Sequence, residues 1–216
     1  PMYAAMPAVL KDAVEKAYIA SGWNLDISEC RYKDSNGNPL YPSFIDVLQQ
    51  INNVMDDSAY SSDSKGDYKG ALCTRLKSLT NGLYGQIFTN DELDAAQIFD
   101  ENVIIDLSRT GSGETKALIM GLLVMKLQEY RMANADGGNA SLQHVTVLEE
   151  AHNILKRTST DQVGEGANVL GKSVEMLGNS IAEMRTYGEG FIIADQAPGL
   201  MDMSVIRNTN TKIILG

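Results

Sequence analysis

Two adjacent acids, Glu149 and Glu150, close the apolar run Val145–Leu148 in "HVTVLEEAHNIL". Carboxylates at the carboxyl end of a buried strand suit phosphoryl-transfer chemistry, in which one orders the water shell of a Mg²⁺ ion and the next takes a proton from the attacking water. On that reading Glu149 serves the metal and Glu150 is the general base. The pair equally suits the first turn of a helix, where carboxylates meet the positive end of the dipole, and this stretch alone leaves both readings open. A second run, "FIIADQAP", ends in Asp195 and Gln196 before Pro198 stops regular structure. An amide beside the acids would sense a γ-phosphate or orient the water, although Gln is also a common turn residue. Arg185 lies just before that run, in "AEMRTYGEG". Its planar fork suits a developing phosphate charge, and the negative end of a helix favours it as well.

Such chemistry needs a phosphate-binding loop, and two stretches imitate one. "GANVLGKS" (166–173) has the letters G-x-x-x-x-G-K-S, including Lys172 and Ser173. A working loop needs a buried strand before it and a helix starting at the Lys. The preceding "KRTSTDQVGE" has one large aliphatic residue and makes no buried strand. Leu170, Val174, Leu177, Ile181 and Met184 keep helical spacing straight through the motif, which predicts a helix interior whose N–H groups are already committed. "VIIDLSRTGSGETKAL" has the strand but lacks the Gly-Lys pair and the hydroxyl for magnesium. Ser112 or Thr110 capping a helix led by Glu114 accounts for it.

The elements that position these residues change character along the chain. Residues 1–100 read as mainly helical. Val9, Leu10, Val14, Ala17 and Tyr18 form one stripe, and Ser43 caps a second helix carrying Phe44, Val47, Leu48, Ile51 and Met55. "DDSAYSSDSKGD" reads as a loop, and a helical pattern resumes at Tyr68. Residues 101–216 alternate short apolar runs ("NVIIDL", "HVTVLEE", "FIIADQ", "TKIILG") with amphipathic stretches. That alternation predicts an α/β domain with a parallel sheet between helices, its site beyond the carboxyl ends of the strands.

Bulk properties narrow the function classes. With 216 residues, 44% hydrophobic and 21% charged, the chain is ordinary for a globular protein. Its net charge of −10 argues against binding nucleic acid over the whole surface, though not against a small basic lining. The most basic stretch, "KGDYKGALCTRLK" (Lys65, Lys69, Arg75, Lys77), reads as a solvated helix face. Two isolated cysteines and two distant histidines, His144 and His152, form neither a disulfide framework nor a zinc site. No charged-then-apolar leader is read, and the longest apolar runs are short of a span. A cytoplasmic location is expected.

Taken in order, "NVIIDLSRTGSGETKALIMGLLVMKLQEYR", "VTVLEEAHNIL" and "AEMRTYGEGFIIADQAPGLMDMSVIRNTNTKIIL" resemble the HerA/FtsK superfamily of RecA-like P-loop ATPases. The likeness is to HerA-like helicase domains and the related conjugative type IV secretion ATPases, and it covers roughly the last 115 residues. The helices before it resemble the insertion such proteins carry after their phosphate loop. The resemblance implies that Glu149 and Glu150 are the Walker B acids, that Gln196 is the sensor, and that ATP and Mg²⁺ are bound. Arg185, or failing it Arg207, would reach a neighbouring subunit. The resemblance also implies a partial RecA-like core with a helical insertion, and a homo-oligomeric ring, a hexamer, that moves DNA or a protein chain. Secretion or nuclease proteins would be its partners, and any membrane association would come through them. The family's phosphate loop would precede Pro1, making this the C-terminal part of such an ATPase, inactive alone. The competing class is a non-catalytic module kept for assembly or partner docking.

Overall fold

The computed structural model describes residues 5–135, 137–157 and 165–215; the side chains of 165–173 lie outside the description. The chain forms two compact units, Pro1–Glu92 and Leu93–Gly216.

The first unit stacks helices α1 (Ala5–Ala20), α2 (Phe44–Asp57) and α3 (Ser62–Thr80), with the two-residue strands β1 (Trp23–Asn24) and β2 (Glu29–Cys30) pairing antiparallel between α1 and α2, and a short α4 (Tyr84–Ile87) at the end. The helices bury Val9, Ala13 and Ala17 of α1 against Val47, Ile51 and Met55 of α2. The α1 face is therefore rotated from the expected stripe, with Leu10 and Val14 only partly covered. Small Ala13 and Ala17 allow close approach, whereas the expected stripe weighted bulk alone. Ser43 caps α2 as expected: its hydroxyl accepts from the Asp46 N–H, and the Asp46 carboxylate accepts from the Ser43 N–H at 2.7 Å. A box of this kind contributes about 1 kcal/mol. The stretch expected as a loop is mostly helical. Ser61 accepts from the Ser64 N–H and starts α3 at Ser62. Lys65 and Lys69 of the supposed solvated face tie α3 to α2, donating to the Asp56 carbonyl at 2.9 Å and its carboxylate at 2.6 Å.

The second unit begins with α5 (Ala95–Phe99), whose Phe99 belongs to this core. It continues with α6 (Gly113–Ala133), β3 (His144–Glu149), α7 (Glu165–Met184), β4 (Glu189–Ala194) and α8 (Met203–Asn208). Ser112 caps α6 by accepting from the Thr115 N–H at 3.1 Å. Strands β3 and β4 are parallel, from His144 opposite Glu189 to Glu149 opposite Ala194. Gly188 (φ 84°) makes the turn into β4, and a Cβ there would lie 2.5 Å from the Ser141 carbonyl oxygen. One face of the pair, with Leu148, Phe191 and Ile193, packs into a core that includes Leu127 of α6, Met184 of α7 and Val205 of α8. The other face is bare: Val147 is 56% exposed and Ile192 55%.

Two of the four expected strands are not formed. Residues 102–107 and 211–215 carry no ladder, and Ile104 and Ile214 are 95% and 93% exposed. A strand exists through its hydrogen-bonded neighbour. Among the described residues β3 and β4 have only each other. The fold is thus mixed α/β with one parallel pair, smaller than the sheet expected from the sequence. Among the described residues no helix is long and apolar enough to cross a membrane.

Candidate functional site

Parallel pairing in this register delivers the ends of β3 and β4 to one rim. Glu149 faces Ala194 across the ladder, so Glu150 emerges beside Asp195, with Gln196 one residue further on. The Glu150 N–H extends the ladder by donating to the Ala194 carbonyl at 3.0 Å. The chain then leaves its strand abruptly, because Glu150 takes a left-handed conformation (φ 52°, ψ 42°). A residue with a Cβ rarely adopts that region, and strain of this kind clusters at functional turns. Its carbonyl is held by the Asn153 N–H at 3.0 Å and the Asn153 amide at 2.7 Å.

Glu149 and Gln196 are exposed, and neither makes a hydrogen bond or ion pair among the described residues. The Glu150 side chain is 41% exposed, its Oε2 lying 3.6 Å from His152 Nδ1. Asp195 behaves otherwise. Its side chain is only 2% exposed, and it accepts from the His152 N–H at 2.8 Å, the Ala197 N–H at 2.7 Å and His152 Nδ1 at 2.9 Å. An ionised carboxylate only accepts, so the Nδ1 of His152 carries the proton.

Burial pushes the Asp195 carboxyl up, but the N–H donors of His152 and Ala197, followed by the His152 ring, outweigh it and hold the group below the usual carboxylate range. A carboxyl whose folded pKa is depressed contributes stability above its unfolded pKa, about 3.9, and loses it as pH falls through the lower folded value. Urea midpoints should therefore drop below about pH 4. The drop should be shallower in Asp195→Asn, which should also be less stable at neutral pH. Asp100, Asp106 and Asp202 are lowered as well, so the variant keeps part of the acid limb. An unchanged limb in Asp195→Asn would show that folding does not lower the Asp195 carboxyl.

Arg185 does not join this rim. It follows α7 and is exposed, before the N-terminal end of β4. The six residues of β4 separate it from Gln196 by about 20 Å at the usual strand rise. Arg207 is exposed in the last turn of α8. The backbone of α7 is helical from Glu165 onward, so the G-K-S letters fall within a helix. Lys172, Ser173 and Leu170 have side chains outside the described residues. Two concavities, one around Phe99 and Tyr130 and one around Trp23 and Tyr32, include none of the rim residues.

No group of three or more metal-ligating side chains occurs among the described residues. The donor set therefore does not suit a metal held by protein alone. It does fit magnesium arriving with a phosphate ligand, since that ion keeps most of its waters and takes one or two carboxylates. Glu149 is the rim carboxylate without a partner among the described residues.

Asp195 and His152 were not picked out as site residues from the sequence. Each stands just past a strand end, and they meet only because the strands are parallel and in this register. Family models, curated proteins and solved structures yield no match to this chain.

Proposed function

We propose that the rim is the hydrolytic half of a nucleotide site in a RecA-like motor ATPase of the HerA/FtsK kind. The observation that carries this is the parallel register of β3 and β4, which brings Glu149, Glu150 and Gln196 together at carboxyl strand ends, where open α/β sheets hold ligands. Glu150 accepts the proton of the attacking water, and Gln196 reports the terminal phosphate or orients that water. Glu149 would hold magnesium through its water shell; the ion, when bound, offsets phosphate charge. Arg185 lies too far along β4 to serve its own rim, which favours a role across a subunit boundary, with Arg207 the second choice. The bare apolar face of the pair and the two exposed apolar runs favour a larger sheet in the assembled motor. We read that motor as a ring, a hexamer, working in the cytoplasm on DNA or a protein chain with secretion or nuclease partners.

Neither imitation loop is fit to hold phosphates, so the phosphate loop comes from sequence outside these 216 residues. The isolated chain should release no phosphate from ATP above background. A polypeptide extended through an upstream strand and G-x-x-x-x-G-K-[ST] should do so, with a magnesium requirement. Turnover by the isolated chain that disappears in Lys172→Ala would overturn this reading. An extended polypeptide that binds no nucleotide would favour an assembly module instead.

A further inference from the structure

Glu150 is held in its unusual conformation by something other than its own side chain, which is half-open to solvent. The strongest anchor nearby is the buried Asp195 carboxylate. One of its oxygens takes both the N–H and the Nδ1–H of His152, at 2.8 and 2.9 Å. The other takes the Ala197 N–H at 2.7 Å. A single group therefore binds the turn after β3 and shapes the turn after β4. Glu150 lies in the first turn, two residues before His152. Gln196 lies in the second, between Asp195 and Ala197. The Glu150 N–H also reaches across to the Ala194 carbonyl, two residues before Gln196, and Asn153 holds the Glu150 carbonyl; the Asp195 contacts add the link between the residues that follow Glu150 and those that follow Ala194.

We infer that Asp195 and His152 are positioning residues: their pair is a clasp that holds Glu150 left-handed and sets its position relative to Gln196. The clasp deepens the ATPase reading and rests on it for the consequence to turnover, but the clasp itself is a statement about the turn. Three N–H donors on one buried carboxylate are well suited to the task, because a charge-assisted hydrogen bond is shorter and stronger than a neutral one. Misplacement of a reacting group by about 1 Å costs about 100-fold in rate, so a loosened turn should be felt in chemistry before binding.

The test uses His152→Leu, which removes the ring donor, and His152→Asn, whose side-chain N–H can stand where Nδ1–H stood. Hydrogen exchange on the 216-residue chain should show the Glu150 and Asn153 amides exchanging at least about tenfold faster in His152→Leu, with the β3 amides still protected. His152→Asn should restore most of that protection. In the extended ATPase, His152→Leu should lower kcat by about 100-fold with little change in KM, and His152→Asn should recover it to within about tenfold. Unchanged exchange at Glu150 in His152→Leu overturns the clasp, whatever the turnover. If β3 loses its protection too, Asp195→Asn is measured instead, and unchanged Glu150 exchange there overturns it likewise. Wild-type extended protein without ATPase activity overturns the reading of the rim, while faster exchange at Glu150 still upholds the clasp.

Discussion

Replacing Arg131 by methionine should cost the protein about 3–5 kcal/mol, as expected when one partner of a buried ion pair is removed. Arg131 is 5% exposed and Glu189 1%. The Arg131 Nε–H donates to Glu189 Oε2 at 2.8 Å, one Nη donates to Asp100 at 2.6 Å, and the other to the Phe99 carbonyl. Burial works against the Arg131 charge, but Asp100 and Glu189 outweigh it and hold its pKa above the ordinary value. Asp100 is held low by the Tyr130 hydroxyl first and Arg131 next. Without the guanidinium, Glu189 would keep only the Thr146 hydroxyl at 2.6 Å and His144 Nδ1 at 2.9 Å, two donors without Arg131's fixed charge for a wholly buried carboxylate. Urea unfolding followed by far-ultraviolet circular dichroism measures the loss. Arg131→Met combined with Glu189→Leu should recover part of it, because the stranded charge is gone. A single substitution costing under about 1 kcal/mol would mean that water reaches Glu189.

This network and the clasp occupy opposite ends of the same two strands. His144 and Glu189 are the first residues of β3 and β4 and face each other in register; Glu150 and Asp195 directly follow their last residues. An imidazole meets a carboxylate at each end, yet the surroundings differ. At the first end the carboxylate is sealed under α5 and α6 by arginine, which makes it a device for stability. At the second end the anchor is buried but Glu149, Glu150 and Gln196 stand in or near solvent, free to meet a ligand. Every buried side-chain polar atom among the described residues has a partner, so no buried group depends on the exposed acids at the rim.

Local signals in the sequence were the readable ones. Ser43 and Ser112 start helices because a hydroxyl three residues before an N–H satisfies it without help from elsewhere in the chain. β3 and β4 are apolar, β-branched and bounded, and they pair. "NVIIDL" and "TKIILG" look the same locally but have no ladder, since pairing depends on a neighbour that no window of residues contains. The start of α3 was missed because Ser, Asp and Lys resemble loop composition, while the tie between Lys69 and Asp56 crosses 13 residues. The clasp was harder still. His152 and Asp195 are 43 residues apart, and only the register of the strands brings them into contact. The acid pair and Gln196 could be singled out by type and strand-end position; the residues that hold them could not.

Glu150→Gln should lower ATP turnover by the extended polypeptide by about 10²–10⁴-fold, the usual contribution of a positioned general base. The substitution is nearly isosteric, and no hydrogen bond that fixes the turn uses the Glu150 carboxylate, which comes only within 3.6 Å of His152 Nδ1: the Ala194, Asn153, Ala197 and Asp195 contacts are made by backbone or by other side chains. The amide keeps the shape but cannot take a proton from water. Nucleotide affinity should therefore stay near wild type while phosphate release stops, leaving ATP bound. Glu149→Gln should act differently, raising the magnesium concentration needed for half-maximal rate, because Glu149 is the uncommitted carboxylate beside the proposed phosphates. Phosphate release and binding of a fluorescent ATP analogue, each titrated with magnesium, separate the two. If Glu150→Gln stays within about threefold of wild type, the left-handed turn serves the fold alone, and the water is activated by some other group.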